Sequence, residues 1–481
     1  MQKIILVVCL ATLTAAAFAK APALPQHDAA RADVLKKAYR FQRESWTYVH
    51  LEGSPYEVGY EHGSLLAKEI GDAFNAERVL STHDAKRDWK FFRESAQKML
   101  WPHTDPEYQL EMMGIADGVK DKGVNLDLWD IVAYNASMEV PGYYVPWLDA
   151  KQHKPVPNDV KTPAERCSAF VATGSWTTDG KPVIAHNNWT SYIDGARWRV
   201  IMDIAPEKGH KLIQDGLPGI IVSDDDFGIN DAGLIVTETT ISNFSGWDPN
   251  GKPEFVRARK ALQYADNIDD YVKIMLDGNN GGYANDWLLA DRNTGEIARF
   301  ELGLKHHQLW KSSDGYYVGS NFASDPALIK DEAPFDLTDM SKSQNARRAR
   351  WEQLMAENKG KIDVAMAEGF LADHYDSFEK KVQPSDRTLC GHNEDSPRGM
   401  GGGWNAYYPA GSAIAQAADA RMAGNMEMAA QAGHSCQQDF KAAPFLAAHP
   451  QFNWQKPVLI DMTGEKWATF KADEAASKPE K

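Results

Sequence analysis

The chain is poor in cysteine, in positive charge and in long apolar runs. Four cysteines among 481 residues are too few for a disulfide-stapled scaffold. Lysine and arginine number 52 against 67 aspartates and glutamates, and the net charge of −15 argues against a nucleic-acid scaffold and against a polybasic membrane anchor. No stretch approaches the length of a transmembrane helix, so no transmembrane anchor is expected. There is no Gly-rich phosphate loop, no dinucleotide fingerprint and no internal repeat. Asp224-Asp-Asp226 lacks EF-hand spacing and reads as a solvated loop rather than a calcium site. Neither cofactor nor metal is expected.

The chain opens on a leader-like segment. Lys3 supplies a positive n-region, Ile4 to Leu13 an apolar core, and Ala17-Phe18-Ala19 a small-x-small cleavage site. Residues 1–19 therefore read as a signal peptide, and the mature protein is expected to be secreted, periplasmic or lysosome-like. Cys9 leaves with the signal, so Cys167, Cys390 and Cys436 remain. An odd number in an oxidising compartment suggests one bridge and one free thiol. Cys390-Gly-His392 and His434-Ser-Cys436 mirror each other, but one intervening residue is tighter than the usual spacing of about two to four between zinc ligands. A Cys390–Cys436 disulfide is expected, with Cys167 left as the reactive thiol.

Residues 20–147 read as mainly α. A helix is expected over about 29–48 and a strand at Trp46-Thr-Tyr-Val-His-Leu51; helical spacing recurs at Leu110–Val119 and Leu126–Met138. The phrase Gly53-Ser-Pro-Tyr-Glu-Val-Gly-Tyr-Glu-His-Gly63 reads as a capped helix start whose glycines permit close packing. Residues 148–166 are polar and proline-bearing, an exposed linker. From Cys167 to about residue 470 the texture turns to strands: Val200–Ile204, Gly219–Val222 and Leu234–Thr240, then helices at 254–264 and 268–276. A second meander follows over 286–318, with His306-His307 in one strand whose alternating faces keep the two from sharing a ligand site. An amphipathic helix is expected over 343–357, a looser Gly/Ala/Met-rich part over 391–433, a last hairpin near 457–470 and a disordered tail over 471–481. Spacing alone supports a mixed α+β fold with two sheets.

The richest stretch lies at 165–190. Ser168–Thr173 and Pro182–Ala185 read as strands of a β-hairpin, with Asp179-Gly180 as turn chemistry. A loop centred on Thr177 sets Cys167 opposite residue 187, beside His186, to within a residue or two. A thiol and an imidazole on neighbouring strands suit nucleophilic catalysis, although a cysteine leading a core strand is also common as plain packing.

Cys167-Ser-Ala-Phe and Ala185-His-Asn-Asn-Trp-Thr-Ser-Tyr192 resemble the start of the mature large chain in the phospholipase B-like proteins. Those belong to the N-terminal-nucleophile (Ntn) hydrolases, with the penicillin acyltransferase and acid-ceramidase groups; Gly53–Gly63 resembles the glycine-spaced opening of the acyltransferases. The resemblance implies a four-layer αββα sandwich. It also implies self-cleavage between Arg166 and Cys167: the thiol attacks the Arg166 carbonyl, an N-to-S acyl shift follows, and water releases the upstream chain. The freed α-amine, with a reference pKa of about 8, then serves a thiol of about 8.5 as base. Asn285 in Gly282-Tyr-Ala-Asn-Asp-Trp287 resembles the asparagine of the family's Tyr-Asn-Asn-Gln-Trp phrase and is the candidate oxyanion donor. The sequence departs from that phrase at Ala284 and Asp286. His186 is expected near the thiol and Trp189 in the pocket wall. Thr239, in a Glu-Thr-Thr phrase like the family's, could bond the α-amine; Arg199 could meet an anionic headgroup. The small and large chains are expected to stay packed together around a small-molecule acyl substrate. Phospholipid deacylation is favoured; amide cleavage of N-acyl amino acids, ceramide-like lipids or β-lactam side chains stays open, as does an idle lipid-binding protein. Asn135, Asn188 and Asn243 head glycosylation sequons, with Asn188 too near the site for comfort.

Overall fold

β-Branched and aromatic runs separated by Gly and Asn turns build two large sheets in the computed structural model, which describes residues 28–153, 167–224, 227–401 and 403–474. The first sheet has nine strands. Across it run β1 (Tyr39–Arg43), β2 (Trp46–Gly53), β5 (Val200–Pro206), β6 (Leu212–Gly216) and β7 (Gly228–Asn230). It continues through β8 (Leu234–Thr240), β9 (Asn285–Asp291), β10 (Ile297–Leu302) and β11 (His307–Ser312). All neighbours are antiparallel except β2 and β5. The second sheet runs β12 (Gly315–Gly319), β3 (Ser168–Thr173), β4 (Val183–Ser191), β15 (Ala410–Asp419), β16 (Glu427–Ala432) and β17 (Ala468–Lys471). A two-residue pair, β13 (Tyr375–Asp376) with β14 (Lys381–Val382), stands apart.

The sheets pack face to face, β3, β4 and β12 against β8, β9 and β10. Alternation along β3 assigns its faces. Ala169 and Val171 join Ile184, Ile235, Trp287 and Phe300 between the sheets. Phe170 and Ala172 point the other way, to Trp351, Leu354 and Phe370 on the helices Ser343–Glu357 and Val364–Leu371. Helices Glu254–Tyr264 and Ile268–Leu276 pack on β7 and β9, and Pro55–Leu65 on β2 and β5. Among the described residues no helix is long and apolar enough to cross a membrane.

The helix Pro55–Leu65 crosses Pro106–Asp121 with backbones touching, as the glycine-spaced phrase suggested. A methyl group at Gly59 would stand 1.8 Å from the Glu111 carbonyl oxygen, and one at Gly114 2.3 Å from that of Tyr56.

Several expectations are corrected. The helix expected over 29–48 ends at Val34, and β1 follows it, because Tyr39-Arg-Phe-Gln-Arg43 pairs with Trp46–His50. Gly219–Val222 is a turn, its first amide donating to the buried His62 Nε2 (2.8 Å). The segment 391–433 contains β15 and β16; alanine is a weak strand former, but only small side chains fit where β15 is covered on both faces. Near the C-terminus β17 pairs with β16 instead of forming a hairpin with residues from 457, and Glu474 pairs with Arg43. Helix Val145–Lys151 runs into the expected linker, while 154–166, the leader and 475–481 lie outside the described residues. His306 precedes β11 and bonds Asp331. Of the sequon asparagines, Asn135 and Asn188 are buried and Asn243 is exposed. Only Asp224 of the acidic triplet is described, and it is buried.

Gly59→Ala or Gly114→Ala is expected to lower stability by about 3 kcal/mol in denaturant titration, because backbone cannot move aside cheaply. Gly369→Ala, on the helix Val364–Leu371 with nothing within 4 Å, should be neutral or gain up to about 1 kcal/mol. Equal responses at the two kinds of site would refute the close crossing.

Candidate active site

Cys167 stands at the head of β3, fully buried. β3 pairs with β4 as Ser168↔Asn187 and Ala169↔His186, one residue from the expected register. The thiol therefore lies beside Asn188, with Sγ 4.0 Å from Asn188 Oδ1. From the opposite sheet, Glu238 on β8 brings Oε1 to 3.9 Å from the same sulfur. The sulfur, one ring nitrogen of His186 and a carboxylate oxygen of Glu238 all lie within 4.8 Å of one another.

A carboxylate buried between two sheets needs donors. Tyr283 Oη donates to Glu238 Oε1 (2.9 Å). The register Thr240↔Asn285 delivers the second donor from β9. With its amide nitrogen turned to the acceptors around it, Asn285 donates to Glu238 Oε2 (2.8 Å) and to the Ala284 carbonyl (3.1 Å). Asn285 thus reaches the site through Glu238. Asp286, where the resembling phrase has glutamine, faces Arg299, whose Nε donates to it (2.9 Å); burial pushes its carboxyl up to about 7 although Arg299 pulls the other way. Thr239 is buried against Gly319 of β12, where an added methyl group would meet its hydroxyl at 2.5 Å.

A buried chain holds the imidazole. His186 Nδ1 lies 3.0 Å from Gln416 Oε1 on β15, and Gln416 Nε2 donates to Asp215 Oδ2 (2.7 Å) on β6. Ser223 Oγ donates to the other oxygen of Asp215 (3.2 Å). Since Gln416 presents its oxygen, Nδ1 carries the proton and Nε2 carries the lone pair.

Arg347, from the helix beyond the six-stranded sheet, fixes the backbone at the thiol. Its Nη1 donates to the Cys167 carbonyl (2.5 Å) and to Ser168 Oγ (3.0 Å), its Nη2 to Asn321 Oδ1 (2.9 Å), and its Nε to Ser343 Oγ (3.0 Å). The guanidinium lies 4.4 Å over the ring of Trp189, whose Nε1 donates to the Leu389 carbonyl (3.3 Å). Arg199 is placed elsewhere, at the β1–β2 turn, donating to the Ala196 carbonyl (3.1 Å) and to Ser45 Oγ (2.5 Å).

Cys167, His186, Asn188, Glu238 and Asn285 are thus brought together and Trp189 is set beside them. Glu238, Arg347 and Gln416 escaped the sequence reading. Glu238 carried a usable signal, an acid inside the apolar strand Leu234-Ile-Val-Thr-Glu; Arg347 sits in a charged helix that resembles a solvated one. The expected Cys390–Cys436 disulfide is not formed. Both thiols are free and turn to His392 Nε2, at 3.4 and 3.5 Å, because the imidazoles of His374 and His392 enter the same cluster.

Residues 84–311, which include Cys167, His186, Glu238 and Asn285, match the family model described as phospholipase B. An uncharacterized protein of Archaeoglobus fulgidus is 26% identical over 249 residues, 48% of this chain and 39% of that protein. Phospholipase B-like 2 of Homo sapiens is 32% identical over 141 residues, 26% of this chain and 24% of its own length. Phospholipase B-like 1 of Caenorhabditis elegans is 25% identical over 227 residues, 44% and 39% respectively. The matched segments span two fifths or less of these relatives' lengths.

Arg347→Lys is expected to cost about 2 kcal/mol or more, because an ammonium cannot reproduce the fork that binds the carbonyls and hydroxyls around Cys167. Arg421→Lys, at an exposed side chain, should stay within about 0.5 kcal/mol of the parent. Paired chemical denaturation curves check this; equal small effects would remove Arg347 from the account.

Proposed function

From the place of residues 84–311 in the phospholipase B-like family, we propose that this is an exported Ntn-type hydrolase that cuts its own chain before Cys167 and cleaves acyl ester or amide bonds through a thioester on that residue. Lipid deacylation is the favoured reaction. The observation that carries the reading is the meeting of Cys167, at the head of a strand, with Glu238, His186 and Asn188 at the junction of two sheets. Helices packed outside two stacked sheets lend support to this reading.

In the uncut chain the thiol is buried. It attacks the Arg166 carbonyl carbon, the peptide nitrogen leaves with the thiol proton as the new α-amine, and water hydrolyses the thioester. Arg166 itself lies outside the described residues. Cutting leaves Cys167 as the first residue of the larger chain. In turnover the α-amine accepts the thiol proton as sulfur attacks the acyl carbon, and returns it to the departing alcohol or amine. Water cleaves the thioester and regenerates the thiol.

Asn188, beside the sulfur, and Asn285, which reaches the site through Glu238, are the candidate amide donors for the developing oxyanion, and losing a correctly placed donor costs about a hundredfold or more in rate. Asn285, held by Glu238, would first have to turn; Asn188 is the more direct candidate. Glu238 is suited to hold the new ammonium between turnovers, because its carboxyl lies 3.9 Å from the sulfur of the residue that would carry the α-amine.

Acid quenching of the protein during turnover of a phospholipid, or of an N-acyl amino acid, followed by peptide mapping should place the acyl mass on Cys167. Cys167→Ala should carry none. Acylation at another residue, or undiminished lipid cleavage by Cys167→Ala, would overturn the assignment; acylation by the amide alone would move the substrate class.

A further inference from the structure

Four metal-binding side chains from three separate loops converge at the rim of the six-stranded sheet. His374 precedes β13, Cys390 and His392 lie in the segment leading to β15, and Cys436 follows β16. Their ligating atoms all lie within 4.8 Å of one another. One nitrogen is the focus: His392 Nε2 is 3.2 Å from His374 Nε2, 3.4 Å from Cys390 Sγ and 3.5 Å from Cys436 Sγ.

Hydrogen bonding does not account for that geometry. His392 Nδ1 lies 3.0 Å from Glu394 Oε1, an acceptor, so Nδ1 carries a proton and Nε2 offers a single position, a lone pair or one N–H. One position makes one good hydrogen bond, yet three groups crowd it. A tetrahedral cation with Zn–N near 2.05 Å and Zn–S near 2.3 Å sets edges of about 3.4 Å between nitrogens and about 3.6 Å between nitrogen and sulfur. The observed separations match these within about 0.2 Å, the tolerance expected of a metal site.

We propose that His374, Cys390, His392 and Cys436 form a closed, four-coordinate zinc site. Two thiolates and two neutral imidazoles suit this borderline-soft dication, and binding releases the two thiol protons. Glu394 orients His392 as carboxylates do behind zinc-bound histidines, and is itself held by Tyr192 Oη (2.5 Å). His434, which mirrors His392 in the sequence, stacks behind it with ring centroids 4.2 Å apart.

The site acts as a staple for β4. Leu389, next to Cys390, accepts at its carbonyl from Asn187 Nδ2 (2.9 Å) and Trp189 Nε1 (3.3 Å). The Leu371 carbonyl accepts from Asn187 Nδ2 (2.7 Å) and from Ser435 Oγ (2.7 Å), beside Cys436. The cation thus fixes loops that hold the residues on either side of Asn188.

The test is metal content of the full chain purified under reducing conditions and dialysed against zinc. About one zinc per chain is expected, with loss to background in His374→Ala and in Cys436→Ser, whose parent side chains are only partly buried. Cobalt loading should give thiolate-to-cobalt charge-transfer absorption that Cys436→Ser weakens. Should a variant not fold, wild type carries the test alone: a chelator should lower its Tm by several degrees and zinc should restore it. Absence of zinc and of cobalt absorption, zinc retained by both variants, a Tm indifferent to chelator, or an intact mass two hydrogens light from a Cys390–Cys436 bridge would each overturn the site.

Discussion

A carboxylate enclosed between two sheets is the constraint around which this molecule is arranged. Glu238 has no access to water, so the fold must supply donors, and it does so through Asn285 at the start of β9 and Tyr283 just before it. That requirement fixes the β8–β9 register where the two sheets meet, and the same meeting places Cys167 against Glu238. Arg347 secures the other side from an outer helix by donating to the Cys167 carbonyl. The candidate site is therefore a seam, supported from both sheets and from one outer helix.

Small residues make the seam possible. β15 carries Ala410, Ala413, Ala415, Ala417 and Ala418, all buried, and its one large polar residue, Gln416, continues the chain from His186 to Asp215. A bulkier strand would separate β4 from the sheet beyond it. The loops carrying His374, Cys390, His392 and Cys436 brace the same strand from its rim.

The hairpin from Ser168 to Ser191 was legible because runs of small, apolar and β-branched residues and a Gly turn act locally, and its register fell within one residue. Helices 254–264, 268–276 and 343–357 were legible for a like reason. β15 was not, because alanine carries no local strand signal and its placement depends on what covers it. The first strand was misread as helix because its pairing with Trp46–His50, not its composition, decides it. The pairing expected of Cys390 and Cys436 failed because a count of thiols cannot reveal His374, which arrives from sixteen residues earlier in the chain. Glu238, Gln416 and Arg347 act across elements, and only the assembled layers bring them together.

The claim on which the account turns is that Cys167 becomes a chain terminus. N-terminal sequencing with intact mass of the purified protein tests it most directly. The account predicts two co-purifying chains, the larger starting at Cys167, with Cys167→Ala remaining a single chain. A wild-type protein that stays unbroken, or a larger chain starting at any other residue, would contradict it.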